Sequence, residues 1–532
     1  MQRHLLLTML IVSLTFVGYS NIDFDASQTS VLLLNRIGTD LIPSNTPPKL
    51  DSPFDMIESL ITTENPYGAV INTTSQQHLD ELFEAYSSPG DFILLLNREN
   101  PNVNNQVITF KKALRQHHPT SNIKAIYYDK TTDPEQLLKK LQEETLTKDI
   151  VIAIAEFSPS MDQNITDFHN HLAQNVFNTF DSDAATKLDT NDHLGIETLM
   201  SYLKDKDAMN ADIWGMESNP DHTSFFVNFH KGLPSENERD LTILAFGDVM
   251  LGRHVRTLME RNGLDYPFRA IAGPENRFLK GSDIVFANLE GPIRGQGSKG
   301  GTSMVFAFNQ DIAPLLKSYG FNLLSISNNH TYDKGADGYN ETVQTLNENE
   351  IGWCGDYHYA NPDSVYYGTL SDTKYAFICV QDVTVRLDID ETVRLITEVK
   401  SNVDYLIVSA HWGNEYQHTP NTSKQIEPAH KFIDAGADLI LGHHPHVAQT
   451  IEVYKDRYIF YSLGNFIFDQ YFSTATQQGL AAGIVLSKGD DGELETKVYY
   501  FPMQSKNSQP DHMPENSRGW LPEYLKTLQQ QT

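Results

Sequence analysis

The chain has 532 residues, with 69 acidic against 40 basic side chains and a formal charge of -29, a balance that repels nucleic-acid backbones and argues against polyanion binding as the main activity. Its 40% hydrophobic and 20% charged residues, without a long low-complexity tract, exclude a largely disordered chain. The length suits two to four domains at roughly 100 to 200 residues each.

The opening "MQRHLLLTMLIVSLTFVGYSN" carries Arg3, an apolar run from Leu5 to Val17, and small residues at Gly18 and Ser20. It reads as a secretory signal over 1–20, with an uncleaved anchor as the alternative, because the run is short for a span of about 20 apolar residues. Residues 21–59, which include "IPSNTPPKLDSP", read as a polar linker or arm.

From 60 to 230, apolar runs such as "DFILLLN", "IKAIYYD" and "DIVIAIAEF" alternate with amphipathic stretches such as "DPEQLLKKLQEE". This order predicts a smaller α/β domain with a mostly parallel sheet. The charged segment 231–240, "KGLPSENERD", reads as a linker. A second module is expected over 241–503, with strands at "LTILAFG", "DIVFANL", "NLLSIS", "KYAFICV", "DYLIVSA", "DLILG", "YIFYSLG", "AAGIVLS" and "TKVYYF", followed by a polar tail over 504–532. Cys354 and Cys379 are the two cysteines, and the sequence leaves open whether they pair or stay as buried thiols.

In the second module, polar groups follow directly on apolar strands, where open α/β sheets place their ligands. Asp248 follows "LTILAFG", Glu290 follows "DIVFANL", and Asn329 with His330 follows "NLLSISN". His411 follows "DYLIVSA", "HHPH" follows "DLILG", and Asn465 follows "YIFYSLG". Each alone has a structural explanation as a turn, cap or satisfied core residue. Together, their mixed oxygen and nitrogen donors suit Mn, Fe, Zn or Mg better than a soft metal. Two such ions about 3.5 to 4 Å apart would clamp the attacking and leaving oxygens of a phosphoryl displacement.

"FGDVMLGR", "ANLEGPI", "SISNNHTYDKGADG", "SAHWGNEY", "GADLILGHHPHV" and "FYSLGNFIFDQ" follow one another between 246 and 470. In this order they resemble the CapA-like bacterial capsule and poly-gamma-glutamate synthesis family of the calcineurin-like metallophosphoesterase superfamily, over 241–503. The resemblance implies an α/β fold of metallophosphoesterase type, a two-sheet sandwich flanked by helices, with Asp248, Glu290, Asn329, His411, His443 and His446 as ligands of two divalent ions. It also implies His330 as general acid or transition-state stabiliser, with Asp333 orienting it. Strand alternation would pair His444 with His446, whereas the family pattern pairs His443 with His446 and keeps His444 in reserve. Two departures stand out: the superfamily's Asp-x-His reads Asp248-Val249-Met250 here, so an imidazole is missing unless His254 reaches in, and Glu290 replaces a bridging aspartate.

Arg253, Arg294, Glu415 and Asn465 are candidate substrate contacts, and Tyr416 a neighbouring one, while Trp412 is expected to pack as a wall. The stretch from "IVIAIAEFSPSMDQNITDFHNHL" to "TSFFVNFHKG" is similar to the C-terminal part of Memo-like domains, related in fold to class III extradiol dioxygenases. Glu156-Phe157-Ser158-Pro159 replaces the usual Asp-Phe-Ser-His, so this domain reads as a degenerate, non-catalytic relative.

The leading expectation is an exported, metal-dependent hydrolase acting on a phosphoester in capsule or poly-gamma-glutamate biosynthesis. The alternatives are a non-catalytic polymer synthesis or export component that binds an anionic chain, and a hydrolase of gamma-glutamyl amide bonds. Expected partners are a phosphoester or anionic polymer and the cell-envelope polymer machinery, with no nucleic acid, and with membrane contact only through an uncleaved N-terminal segment.

Overall fold

A computed structural model describes residues 240–514, apart from 273–276, 280, 296–303, 371 and 490–491, together with 517–518. Ahead of these it describes 31–36, 66–70, 92–99, 103–117, 123–144, 150–154, 193–204, 210–219, 222–230 and the positions 168, 171, 172, 175 and 176. The signal over 1–20, the linker up to 239 and the Glu156 to Pro159 replacement lie outside the described residues.

The first sheet contains β1 (Val31–Arg36), β2 (Pro66–Val70), β3 (Phe92–Asn97), β4 (Ile123–Tyr128), β5 (Ile150–Ile154), β6 (Asn210–Asn219) and β7 (His222–His230). Its order is β2-β7-β1-β5-β3-β4, with β6 also on β7. The β1-β5-β3-β4 portion is parallel, and β7 joins β1, β2 and β6 antiparallel. Within the expected linker or arm over 21–59, "VLLLNR" of β1 pairs with β5 and β7. Phe168 carries the contact onward, lying 5.5 Å from the rings of both Tyr499 and Phe501, and Asn175 exchanges two hydrogen bonds with the main chain of Asp240.

The rest of the chain runs through β8 (Leu241–Val249), β9 (Ile284–Leu289), β10 (Leu323–Ser325) and β11 (Gly352–Cys354). It continues through β12 (Tyr366–Leu370), β13 (Thr373–Gln381), β14 (Tyr405–His411), β15 (Leu439–His443), β16 (Ile451–Tyr454) and β17 (Arg457–Phe460), then β18 (Asn465–Ile467), β19 (Gln478–Lys488), β20 (Leu494–Lys506) and β21 (Gln509–His512). One sheet has the order β11-β10-β9-β8-β19-β20-β21, with β18 on β8, and the other has β12-β13-β14-β15-β17-β16.

Side-chain alternation builds the layers. From β8, Leu244 and Phe246 enter the core beneath one set of helices, while Leu241, Ile243 and Ala245 face a core between the sheets. From β14, Tyr405 and Ile407 share that central core, and Leu406, Val408 and Ala410 enter a third core on the far side. Both faces of each central strand are buried, which gives the helix-sheet-sheet-helix sandwich expected. Trp412 packs as the predicted wall, 1% exposed, with its indole N–H donating to the carbonyl of Tyr461.

The expected polar tail begins later than residue 504. β20 runs through Lys506, and a two-residue turn at Asn507 and Ser508, φ 52 and 61, returns the chain as β21. An edge strand tolerates polar side chains on its open side, so "QPDH" reads as tail in sequence and pairs in the fold. Cys354 of β11 and Cys379 of β13 form a disulfide between the two sheets.

Candidate metal centre

β8, β9 and β10 are parallel neighbours, so their carboxyl ends open on one edge, which β18 joins by pairing parallel with the end of β8. β14 and β15 are likewise parallel in the facing sheet. Asp248, Glu290, Asn329, His330, His411, His443, His446 and Asn465 all lie at these ends.

Asp248 and Glu290 are 0% exposed. Asp248 Oδ1 accepts from Asn288 Nδ2 at 2.8 Å and lies 3.5 Å from His443 Nδ1, while Oδ2 lies 3.5 Å from His446 Nδ1. Burial opposes the charge on Asp248, yet His443 and His446 hold its pKa well below the usual carboxylate range. Glu290 behaves oppositely. Burial, reinforced by the charges of Asp248 and Glu415 and only partly offset by His446, pushes its pKa well above normal.

His411 bridges the sheets: its Nε2 meets Asn329 Oδ1 at 2.7 Å, and its Nδ1 meets Asn288 Nδ2 at 3.2 Å. One neutral tautomer satisfies both contacts, in keeping with burial, seconded by His444, lowering its pKa. His446 Nδ1 meets Asn465 Oδ1 at 2.9 Å, and its Nε2 stands 3.7 Å from Glu290 Oε1 and 4.0 Å from Glu415 Oε1. Burial lowers the His446 pKa, but Glu290 and Asp248 more than reverse this and raise it to about 9. His444 goes to about 3, through burial and then the proximity of His446.

His330 Nδ1 meets Asp333 Oδ2 at 2.8 Å, and its ring stacks on Phe306 at 3.8 Å. Nε2 points across to Glu290 Oε1 at 3.8 Å. The backbone N–H of Phe306 donates to the same Asp333 oxygen at 2.5 Å, which ties the covering ring to the pair.

Four of the non-glycine residues with positive φ stand here: Arg253 (48°), Tyr416 (62°), His444 (96°) and His446 (58°). Such backbone is costly for bulky residues and is retained where surrounding structure over-determines it. In the turn 443–446 it lets three histidines converge without obeying strand alternation.

The remaining candidates separate. The Arg253 guanidinium is buried, paired with Asp469 and placed over Phe306 at 4.9 Å, so it braces the wall around His330. Asn465 directs its amide inward, accepting from or donating to His446, Gln470 and the carbonyl of Thr476. Arg294 is half-exposed and lies 3.5 Å from Asp337. His254 is exposed beside Tyr471 and does not reach the cluster, so Met250 leaves the missing imidazole unreplaced from this strand. Asn288 and Asn328 were not singled out by sequence, although both sit inside the quoted "ANLEGPI" and "SISNNH". Asn328 donates to Asn288 Oδ1 at 3.1 Å and accepts from the His330 N–H at 3.1 Å, linking the two strand ends.

Two groups of donors fall within 4.8 Å of one another: Asp248, Glu290 and His411, and Glu415, His444 and His446. Both Glu290 oxygens, both His443 nitrogens and His444 Nδ1 are buried without a hydrogen-bond partner. Orphaned buried donors of this kind are expensive unless a cation meets them, so the residues present fit divalent ions.

A two-sheet sandwich with carboxylate, amide and imidazole groups at its strand ends defines a metallophosphoesterase-like fold. A family model described as "Bacterial capsule synthesis protein PGA_cap" matches residues 242–470. The capsule biosynthesis protein CapA of Bacillus anthracis is 34% identical over 268 residues, covering 46% of this chain and 64% of that protein. The PGA biosynthesis protein CapA of Bacillus subtilis (strain 168) is 32% identical over 267 residues, 47% of this chain and 68% of its own. A probable polyglutamine synthesis accessory protein of Mycobacterium tuberculosis is 24% identical over 288 residues, 43% and 74% of the two chains. The chain belongs to the CapA-like bacterial capsule synthesis family, while spanning just under two thirds of the Bacillus anthracis relative.

Proposed function

We propose that this protein is an exported, metal-dependent hydrolase that acts on a phosphoester during capsule or poly-gamma-glutamate synthesis. The observation that carries this reading is the set of buried, partnerless donors on Glu290, His443 and His444 beside Asp248 and His446. Asp248, Glu290, Asn329, His411, His443 and His446 would hold two divalent ions of the Mn, Fe, Zn or Mg group. Bound there, such ions supply Lewis acidity to a phosphoryl group. His330, fixed by Asp333 through Nδ1, presents Nε2 to protonate the leaving oxygen. Phe306 covers the ring and keeps water from competing for it. Asn465 holds His446 in orientation.

Export is supported by the disulfide, a bond that persists in oxidising compartments. No described helix is long and apolar enough to cross a membrane. The names of the relatives support association with polymer synthesis machinery.

The test is elemental analysis together with hydrolysis of a generic aryl phosphate by the purified protein. Bound metal with turnover is expected, and His330→Ala should lower turnover by about 10²- to 10⁴-fold while retaining the metal. Protein without metal or turnover would refute the reading. Met250, offering no imidazole, favours a second one: a non-catalytic component holding an anionic chain in the same cleft. Shortened polyglutamate after incubation would instead indicate cleavage of gamma-glutamyl amides.

A further inference from the structure

We infer that Glu415 is a metal ligand, forming with His444 and His446 a cation post beside the one built from Asp248, Glu290 and His411. This rests on the metal-dependent reading and assigns one of its two ions a carboxylate from the six-stranded sheet.

Glu415, His444 and His446 each offer one donor atom within 4.8 Å of the others, and His446 Nε2 stands between Glu415 Oε1 at 4.0 Å and Glu290 Oε1 at 3.7 Å. The two posts therefore adjoin at His446. His444 is 4% exposed and its Nδ1 has no hydrogen-bond partner, an independent sign that this atom is set to meet a cation. Neither residue after β8 supplies an imidazole to this post: Met250 is buried with its sulfur 3.2 Å from the Gly252 N–H, and His254 is exposed.

The backbone brings Glu415 into place. Gly413, at φ 88, packs so tightly on Gln425 that a Cβ would lie 2.5 Å from its side-chain oxygen. Tyr416 then donates its N–H to the carbonyl of Pro445 at 2.8 Å, fastening the turn after β14 to the histidine turn after β15. Its ring lies nearly parallel to His446 at 6.0 Å.

Electrostatics separates this role from substrate binding. A carboxylate at the mouth of the cleft repels a phosphoester that approaches without a cation between them. The same carboxylate bound to a cation lowers the charge of the post and lets the anion approach. Two imidazoles and one carboxylate suit Mn, Fe or Zn better than Ca.

The experiment is titration of chelator-stripped full-length protein with Mn(II), counting bound ions after dialysis, for wild type and Glu415→Gln. Wild type is expected to hold two ions per chain. Glu415→Gln should keep one at unchanged affinity, bind the other at least about tenfold more weakly, and melt like wild type when metal-free. Two ions held by Glu415→Gln at wild-type affinity would overturn the inference, whether or not turnover falls, and so would one ion in wild type. Wild type that binds no Mn(II) would overturn the metal-dependent reading as well, which separates the two failures.

Discussion

The two sheets of the sandwich bring unlike chemistry to one seam. The eight-stranded sheet supplies oxygen and amide groups through Asp248, Asn288, Glu290, Asn329 and Asn465, with His330 beside them. The six-stranded sheet supplies imidazole through His411, His443, His444 and His446, with Glu415 nearby. Acid and base thus meet across the seam: against burial, His443 and His446 lower the Asp248 pKa, and Glu290 and Asp248 raise that of His446. Neither sheet alone makes a site, and whatever loosens their registration should cost both stability and metal.

Removing the acid side should break the pairing hardest. Asp248→Ala leaves buried imidazoles without their counter-charge, so metal stoichiometry should fall by at least one ion per chain and the metal-free protein should lose about 4 kcal/mol in urea unfolding. An unchanged midpoint would show that the sheets are not electrostatically coupled. Replacing Cys354 and Cys379 with alanine, which removes a crosslink closing a separation of 25 residues, should cost about 3 kcal/mol and weaken metal binding through the seam. Loss of stability with unchanged metal affinity would confine the disulfide to the fold.

pH should pull the two neighbouring histidines apart. The His446 pKa rises from 6.5 to about 9 on folding, because Glu290 and Asp248 outweigh burial, so its contribution is full below pH 6.5 and fades as pH rises through 9. Burial, then His446, takes His444 from 6.5 to about 3, so its contribution is present above pH 6.5 and fades as pH falls towards 3. The urea midpoint of chelated protein should therefore decline on both sides of pH 6.5, and saturating divalent metal should flatten the alkaline limb by displacing the His446 proton. The smallest effect is expected at Arg294→Ala, which should change stability by under about 0.5 kcal/mol because its pair with Asp337 is exposed. A raised KM in that variant would give the eight-stranded side a substrate contact.

The strands and the polar groups at their ends were legible because both follow local rules. β8 and β14 are mostly apolar and buried along their whole length, and the polar residue at the end of such a strand lies at the open edge of a parallel sheet. What escaped depends on partners remote in sequence. Arg253 looked available until Asp469, 216 residues away, engaged it. Phe306 gave no sign that it would cover His330. Asn288 and Asn328 are neutral side chains, one inside a strand and one just past a strand, and by type neither differs from an ordinary hydrogen-bonded structural residue. β1 was hidden because a strand this short, between polar flanks, shows no alternation.

The pairing of β18 with β8, Asn465 opposite Asp248, has a temporal consequence. A growing chain carries Asp248 long before the partner that orients His446 has been synthesised, so the full ligand set cannot assemble on a nascent fragment. On the proposed metal-dependent reading, an ion would be taken up where folding finishes, and since divalent affinities rank by metal more than by protein, the ions available there would select the occupant. Refolding one preparation in Mn(II) and another in Zn(II) would imprint different metals on the same polypeptide.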